Sequence, residues 1–558
     1  MPTTPSPSRP AAHRGHHRAS ILRVARKIDA SVAEVPDAGY SVGSPMPVAG
    51  VAGAGDLPGS AGGVPAPCGG PASRMARNFL SLGAAEVACR ATSVLVTLSL
   101  AHELGKEGYG RIEFAFNVVF WLVLLVRNGS EVIAARELAR HPRLIRPLVN
   151  QILGIKMVVA SALYVGLALA AWVGMADPIG RGLLLLYGLM LVTTALGIDF
   201  VYRGVERMGL LAISLYLRTA VYAIGVSAWV NDGAEIADIP AWLAAGEAVG
   251  IALVWGRYIR EYGLPRPTLR GSFLTVFARR CRPVLIIQCA QTVLGSVDLM
   301  VVGLLCPWDQ VGLYGAPHRM IAAALTFGMI FQQVVFPALA RSWRASPDAA
   351  RRALDALVRT LAIGMVPLAV GTTILADPLI AALLPRSYGA GGWLLALGIW
   401  RAPLLTLVFL YHTALIATNR ESSGVWLLGA GAIASGPLVA LLLAGFGLPG
   451  AAVGLGAVAF LLAIAGYGCL AREGRQPAWH HHLLRPLLAS LAMIPACSAL
   501  LPIHLGLAIL GGAAAYGLTL LAIGGLRRDD FRALLGSGRS ESRSEGTPSR
   551  LVRSAPIR

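Results

Sequence analysis

Apolar residues along this chain come in blocks of about twenty, separated by short polar stretches. A helix needs roughly 20 apolar residues to cross ~30 Å of hydrocarbon. The spacing therefore predicts membrane-spanning helices. The helices of soluble domains would instead carry one apolar stripe each. After Met75 the blocks fall at 79–101, 112–134, 149–173, 181–202, 209–229, 240–259, 283–305, 318–340, 357–376, 391–417, 424–446, 449–470, 486–503 and 505–525. The predicted fold class is an all-α polytopic membrane protein with about 14 transmembrane helices. Very short turns separate the blocks near Gly445–Gly450 and Leu501–His504.

Charge fixes an orientation for these spans. The net charge of +19 would suit a nucleic-acid partner if the basic residues clustered on one domain. They alternate instead. With the N-terminus inside, 38 of the 48 Lys and Arg residues fall on cytoplasmic segments, 5 on external ones and 5 within spans. Arg319 is counted with the external segments. Such asymmetry is the positive-inside signature. It predicts two cytoplasmic termini in the cell inner (cytoplasmic) membrane and no nucleic acid. A missed or extra span would put basic loops on the wrong side from that point onward, and no such flip occurs.

Residues 1–74 are rich in Pro, Gly, Ala and Ser, with an Arg/His cluster at His13–Lys27 and no early apolar run. They are expected to form a disordered cytoplasmic tail, as are residues 527–558. The seven cysteines form no CxxC pair, and six lie in or beside predicted spans. His480-His481-His482 lacks acidic or Cys partners at ligand spacing, so no metal site is expected. No lysine lies in a GxxxxGK[ST] loop, which excludes ATP hydrolysis by that route. No cofactor is expected; H+ or Na+ is the candidate coupling ion.

An internal repeat adds organisation. Glu107-Gly108-Tyr109-Gly110 follows the first span and Val311-Gly312-Leu313-Tyr314-Gly315 the seventh, with the two tyrosines 205 residues apart. Both are read as tight external turns. Duplicated membrane units around a central site are the plan of many secondary transporters.

Several stretches, in order, resemble the oligosaccharide (O-antigen and exopolysaccharide) flippase family of the multidrug/oligosaccharidyl-lipid/polysaccharide exporter superfamily. They are Arg77-Asn78, Leu104-Gly105-Lys106-Glu107-Gly108-Tyr109-Gly110, Asn128-Gly129 through Ala134-Ala135-Arg136-Glu137-Leu138-Ala139-Arg140, and Asp199-Phe200-Val201-Tyr202-Arg203-Gly204-Val205-Glu206-Arg207. Val297-Asp298-Leu299, Val311–Ala316 and Gln332–Arg341 continue the set. The resemblance implies two pseudo-symmetric six-helix lobes, residues 75–262 and 263–475, with two additional helices in 476–526. It also implies a cargo, an oligosaccharide repeat unit on an undecaprenyl-pyrophosphate-type lipid turned across the membrane. Partners would be that lipid-linked anionic oligosaccharide, membrane lipids, and polysaccharide polymerase and export proteins.

Charges inside hydrocarbon cost about 2.5–3.5 kcal/mol at a span centre, so they mark protein-facing or wet positions. Arg90, Arg218, Arg401 and Arg127 are the candidate substrate-binding residues, because guanidinium forks match phosphate oxygens. Two have a built-in acid on the same face, Glu86 for Arg90 and Glu131 for Arg127. Asp298 and Glu86 are candidates for coupling, and Asp199 with Arg203 for a gate or structural pair. The competing readings are a membrane glycosyltransferase or polysaccharide polymerase, a multidrug exporter, a lipid II flippase and a non-transporting scaffold. External loops of about twelve residues or slightly more leave little room for a catalytic platform, and Arg-biased spans disfavour cationic cargo.

Overall fold

The computed structural model describes residues 71–525, apart from 231–234, 270, 346, 418–419, 473 and 475. The two expected tails lie outside the described residues, save 71–74, which open the first helix. No strand occurs among the described residues.

Helix α1 (Pro71–Arg127) runs for 57 residues. At ~1.5 Å per residue that is about 85 Å, far more than one bilayer. Gly105, at φ 62° and ψ −173°, divides it into two crossings. Such a conformation suits a residue without Cβ. The second crossing ends where Asn128 and Gly129 both adopt positive φ, and a separate helix α2 (Ser130–Arg140) follows. The first half continues through α3 (Ile145–Gly174), α4 (Pro178–Leu196), α5 (Asp199–Gly204), α6 (Met208–Val230) and α7 (Asp238–Tyr262). The second half begins with α8 (Gly271–Leu305), α9 (Trp308–Ala345), α10 (Pro347–Ile374) and α11 (Ala376–Leu383). It continues with α12 (Gly391–Gly398), α13 (Arg401–Ala417), α14 (Glu421–Phe446) and α15 (Leu448–Ala471). Three more helices trail: α16 (Trp479–Leu491), α17 (Met493–Leu500) and α18 (Leu505–Ala522).

Twelve described stretches are long and apolar enough to cross a membrane. One of these, Ala85–Arg140, holds the two crossings joined at Gly105. With α9, 38 residues long, the total matches the fourteen expected. The outer surface confirms the solvent. Leu510 and Leu518 on α18 are each 69% exposed, an arrangement that lipid stabilises and water would not.

The largest core joins the two halves. Tyr109, Val119 and Tyr187 share it with Ile321, Leu405 and Val458, and the contact of α1 with α9 is the most extensive among the described elements. The trailing helices build their own small core of Met493, Cys497 and Tyr516 against Leu375. Tyr516 Oη also donates to the Ile363 carbonyl at 2.8 Å. Asp355 on α10 accepts from the Ala478 amide at 2.8 Å and lies 3.2 Å from His482 Nε2. This histidine therefore fastens α16 to α10. No cluster of three or more metal-binding side chains occurs among the described residues.

The repeated Gly-Tyr-Gly stretches are not turns. Gly108–Gly110 lies inside α1 and Gly312–Gly315 inside α9. Glycine and proline are tolerated within membrane helices because the surroundings satisfy the backbone, so here they signal contact. A Cβ on Gly110 would collide with the Trp308 carbonyl, and one on Gly312 with the Lys106 carbonyl. The two halves thus touch backbone to backbone at the end opposite the Arg-rich loops.

A cavity between the two halves

A cavity of about 220 Å³ lies between the halves. The first half supplies Arg90, Glu113 and Phe116 from α1, Tyr187 from α4, Arg218 and Tyr222 from α6, and Glu247 from α7. The second half supplies Arg319 from α9. Four aromatic rings, Tyr109 included, and three guanidiniums therefore face two carboxylates.

The guanidiniums differ in how they are held. Arg90 is exposed in the wall and makes no hydrogen bond or ion pair among the described residues. Arg218 is clamped, donating to Glu247 Oε2 at 3.1 Å and to Asp199 Oδ1 at 3.2 Å. Arg319 Nη2 donates to Glu113 Oε2 at 3.0 Å, and its guanidinium stacks 4.8 Å from the Phe116 ring centroid. Tyr109 Oη donates to the same Glu113 oxygen at 3.1 Å. Glu113 itself is 2% exposed.

Arg401 is elsewhere. It is 1% exposed and bound directly to Asp298, which has no exposed surface. Tyr314 Oη donates to the same Asp298 oxygen at 2.5 Å. Arg401 Nη2 lies 2.9 Å from His318 Nδ1. Arginine only donates, so Nδ1 accepts here, and its 3.3 Å approach to Asp298 is a contact without a shared proton. The four side chains form a buried polar knot inside the second half, away from the cavity lining.

The remaining candidates sit toward the basic end. Arg127 is half exposed and 4.0 Å from Glu131. Glu131 is held more closely by Lys156, at 2.9 Å, and this lysine also donates to the Gly197 carbonyl at 3.2 Å. Asp199 pairs with Arg218 in place of Arg203, which is exposed. Glu86 lies one turn before Arg90 without a direct bond to it among the described residues. The structure therefore brings Arg90, Arg218 and Asp199 together at one place, and Asp298 with Arg401 at another.

Sequence reasoning misses Arg319 and Glu113. Arg319 is only the second residue of the predicted block 318–340, at its outer edge, and is therefore counted with the external charges. The helix in fact starts at Trp308, so Arg319 lies three turns inside it. Glu113 is likewise only the second residue of the predicted block 112–134 and is not singled out there. The repeat holds a usable signal: each tyrosine donates to a buried carboxylate that pairs with an arginine, Tyr109–Glu113–Arg319 and Tyr314–Asp298–Arg401.

The helices of the two halves meet around a polar cavity, and solved membrane proteins share this fold. The chain superposes on "Lipid II flippase MurJ, inward closed conformation" with a TM-score of 0.65 at 14% identity, covering 81% of this chain and 99% of that one. An inward-facing multidrug resistance MATE family transporter of the MOP superfamily matches with a TM-score of 0.56 at 11% identity, over 69% of this chain and 94% of that one. The MATE multidrug transporter DinF-BH gives 0.52 at 15% identity, over 72% and 96%. No curated relative matches the chain by sequence. Residues 75–343 match the family described as polysaccharide biosynthesis protein.

Proposed function

We propose that this protein turns an undecaprenyl-pyrophosphate-linked oligosaccharide across the cytoplasmic membrane for surface polysaccharide biosynthesis, with both termini in the cytoplasm. The observation that carries the reading is Arg90, a guanidinium open to the cavity between the lobes and free of any direct acidic partner among the described residues. A diphosphate offers it bidentate, charge-assisted bonds in a site of reduced dielectric. Arg218 and Arg319 stand on the same cavity, and the aromatic wall presents flat apolar faces with polar tips, suited to an amphipathic headgroup. Asp298 and Arg401 act as a structural pair of the second lobe.

The polysaccharide family match favours this cargo over lipid II, whose flippase shares the fold. Deletion of the gene, followed by analysis of lipid-linked sugars by leaflet, tests the proposal. The lipid-linked unit is expected to accumulate on the cytoplasmic leaflet, to be cleared by the wild-type protein and to remain with Arg90→Ala at equal membrane level. Absence of the lipid-linked unit would indicate a synthase and refute the reading.

A further inference from the structure

Among the described residues, two ion pairs join the lobes. Arg280 on α8 meets Glu137 on α2 at 3.2 Å toward the basic end. Arg319 on α9 meets Glu113 on α1 at 3.0 Å in the cavity wall. The second pair stands where a bound anion would arrive, and just beneath the backbone contact of the two halves. Gly312, whose missing Cβ admits the Lys106 carbonyl, precedes Arg319 by two helical turns, and a Cβ on Gly315 would press on Glu113 Cγ.

We propose that the Arg319–Glu113 pair is an anion-released latch: a diphosphate headgroup in the cavity takes Arg319 from Glu113 and thereby frees the lobes at the end opposite the basic loops. This rests on the functional reading above and adds how cargo is sensed.

The physical case has three parts. The pair is unequal, for Glu113 is almost wholly buried while 31% of the Arg319 side chain is open to the cavity, so the cation is the movable member. Arg319 Nε is buried without a partner among the described residues, so the guanidinium has a donor that Glu113 leaves unused. A diphosphate, moreover, acts on both sides of the bond. It attracts Arg319 through forked hydrogen bonds and repels the Glu113 carboxylate nearby. The ligand thus binds the closed arrangement less well than the released one, which is the differential affinity that any ligand-driven change requires. Tyr109, donating to the same Glu113 oxygen, retains the carboxylate on its own lobe after release.

Hydrogen exchange of the purified full-length protein, read at segments 105–113 and 308–319, tests the latch with farnesyl diphosphate as the probe. In the wild type the probe should speed exchange in both segments on the order of tenfold, within the usual range for coupled sites. Glu113→Gln should show that faster exchange without probe, and Arg319→Lys, which keeps the charge but loses the fork, should show a weakened response. A Glu113→Gln protein protected as in the wild type would overturn the proposal, and that arm needs no ligand. A wild type that binds the probe, by thermal shift lost in Arg90→Ala, yet shows no change at these segments would sink the latch and leave the cargo reading standing. Failure to bind the probe at all would count against both.

Discussion

Arg90 and Arg401 look alike in the sequence, each an arginine deep in an apolar span, and the structure separates them completely. What distinguishes them is a partner distant in sequence. Asp298 is 103 residues from Arg401, and no helical spacing joins the two. Embedded charge can be read from sequence because its cost in hydrocarbon is general; its pairing depends on tertiary contacts. The separation has an energetic consequence. Removing one member of a buried pair leaves an uncompensated charge and typically costs about 3–5 kcal/mol, whereas neutralising both members is far milder. Arg401→Gln should therefore sharply lower the thermal midpoint of the purified protein, and adding Asp298→Asn should restore most of the loss. Arg90→Ala, with no direct partner to orphan among the described residues, should leave the midpoint near that of the wild type. Equal destabilisation by Arg90→Ala and Arg401→Gln would contradict these assignments.

Helices are legible where length and hydropathy decide, and misread where a glycine has two uses. The short turn at Gly445–Gly450 is real, since Gly447 takes φ 65° between α14 and α15. Gly105 likewise makes a turn, three residues before Gly108-Tyr109-Gly110, the stretch that sequence pattern alone picks out. The latter glycines serve helix-to-helix approach, a feature of membrane helices that small residues enable. Arg319 is hidden at the outer edge of the predicted block 318–340, because α9 begins before that block, at Trp308. A substitution tests the distinction. Gly312→Val places branched carbons against the Lys106 carbonyl and should prevent the lobes from closing at that end. Hydrogen exchange at residues 105–113 should rise in this variant even though the helices remain intact by circular dichroism. Unchanged protection would mean that the close approach is not maintained in the membrane.

At the scale of the whole molecule, the two halves repeat one motif and put it to different uses. In each, a tyrosine from a Gly-Tyr-Gly-like stretch donates to a buried carboxylate held by an arginine. In the second half all the members come from that half. In the first half the arginine comes from the other half, so the same chemistry bridges the two. The cavity beside that bridge carries guanidiniums, aromatic rings and, in Arg90, a cation without a direct acidic partner among the described residues. It sits in a bundle whose outer surface requires lipid. The positive-inside pattern supplies an orientation from sequence alone, while the cavity emerges only when helices distant in sequence converge.

The most direct test is a reconstitution. Vesicles carrying the purified protein and an undecaprenyl-pyrophosphate-linked oligosaccharide would be assayed for the fraction of that lipid reachable by an external sugar-modifying probe over time. Wild-type vesicles should expose the inner-leaflet pool well ahead of protein-free vesicles, and Arg90→Ala vesicles should lag close to the protein-free rate. Equal rates with and without the wild-type protein, or an Arg90→Ala rate matching the wild type, would contradict the account.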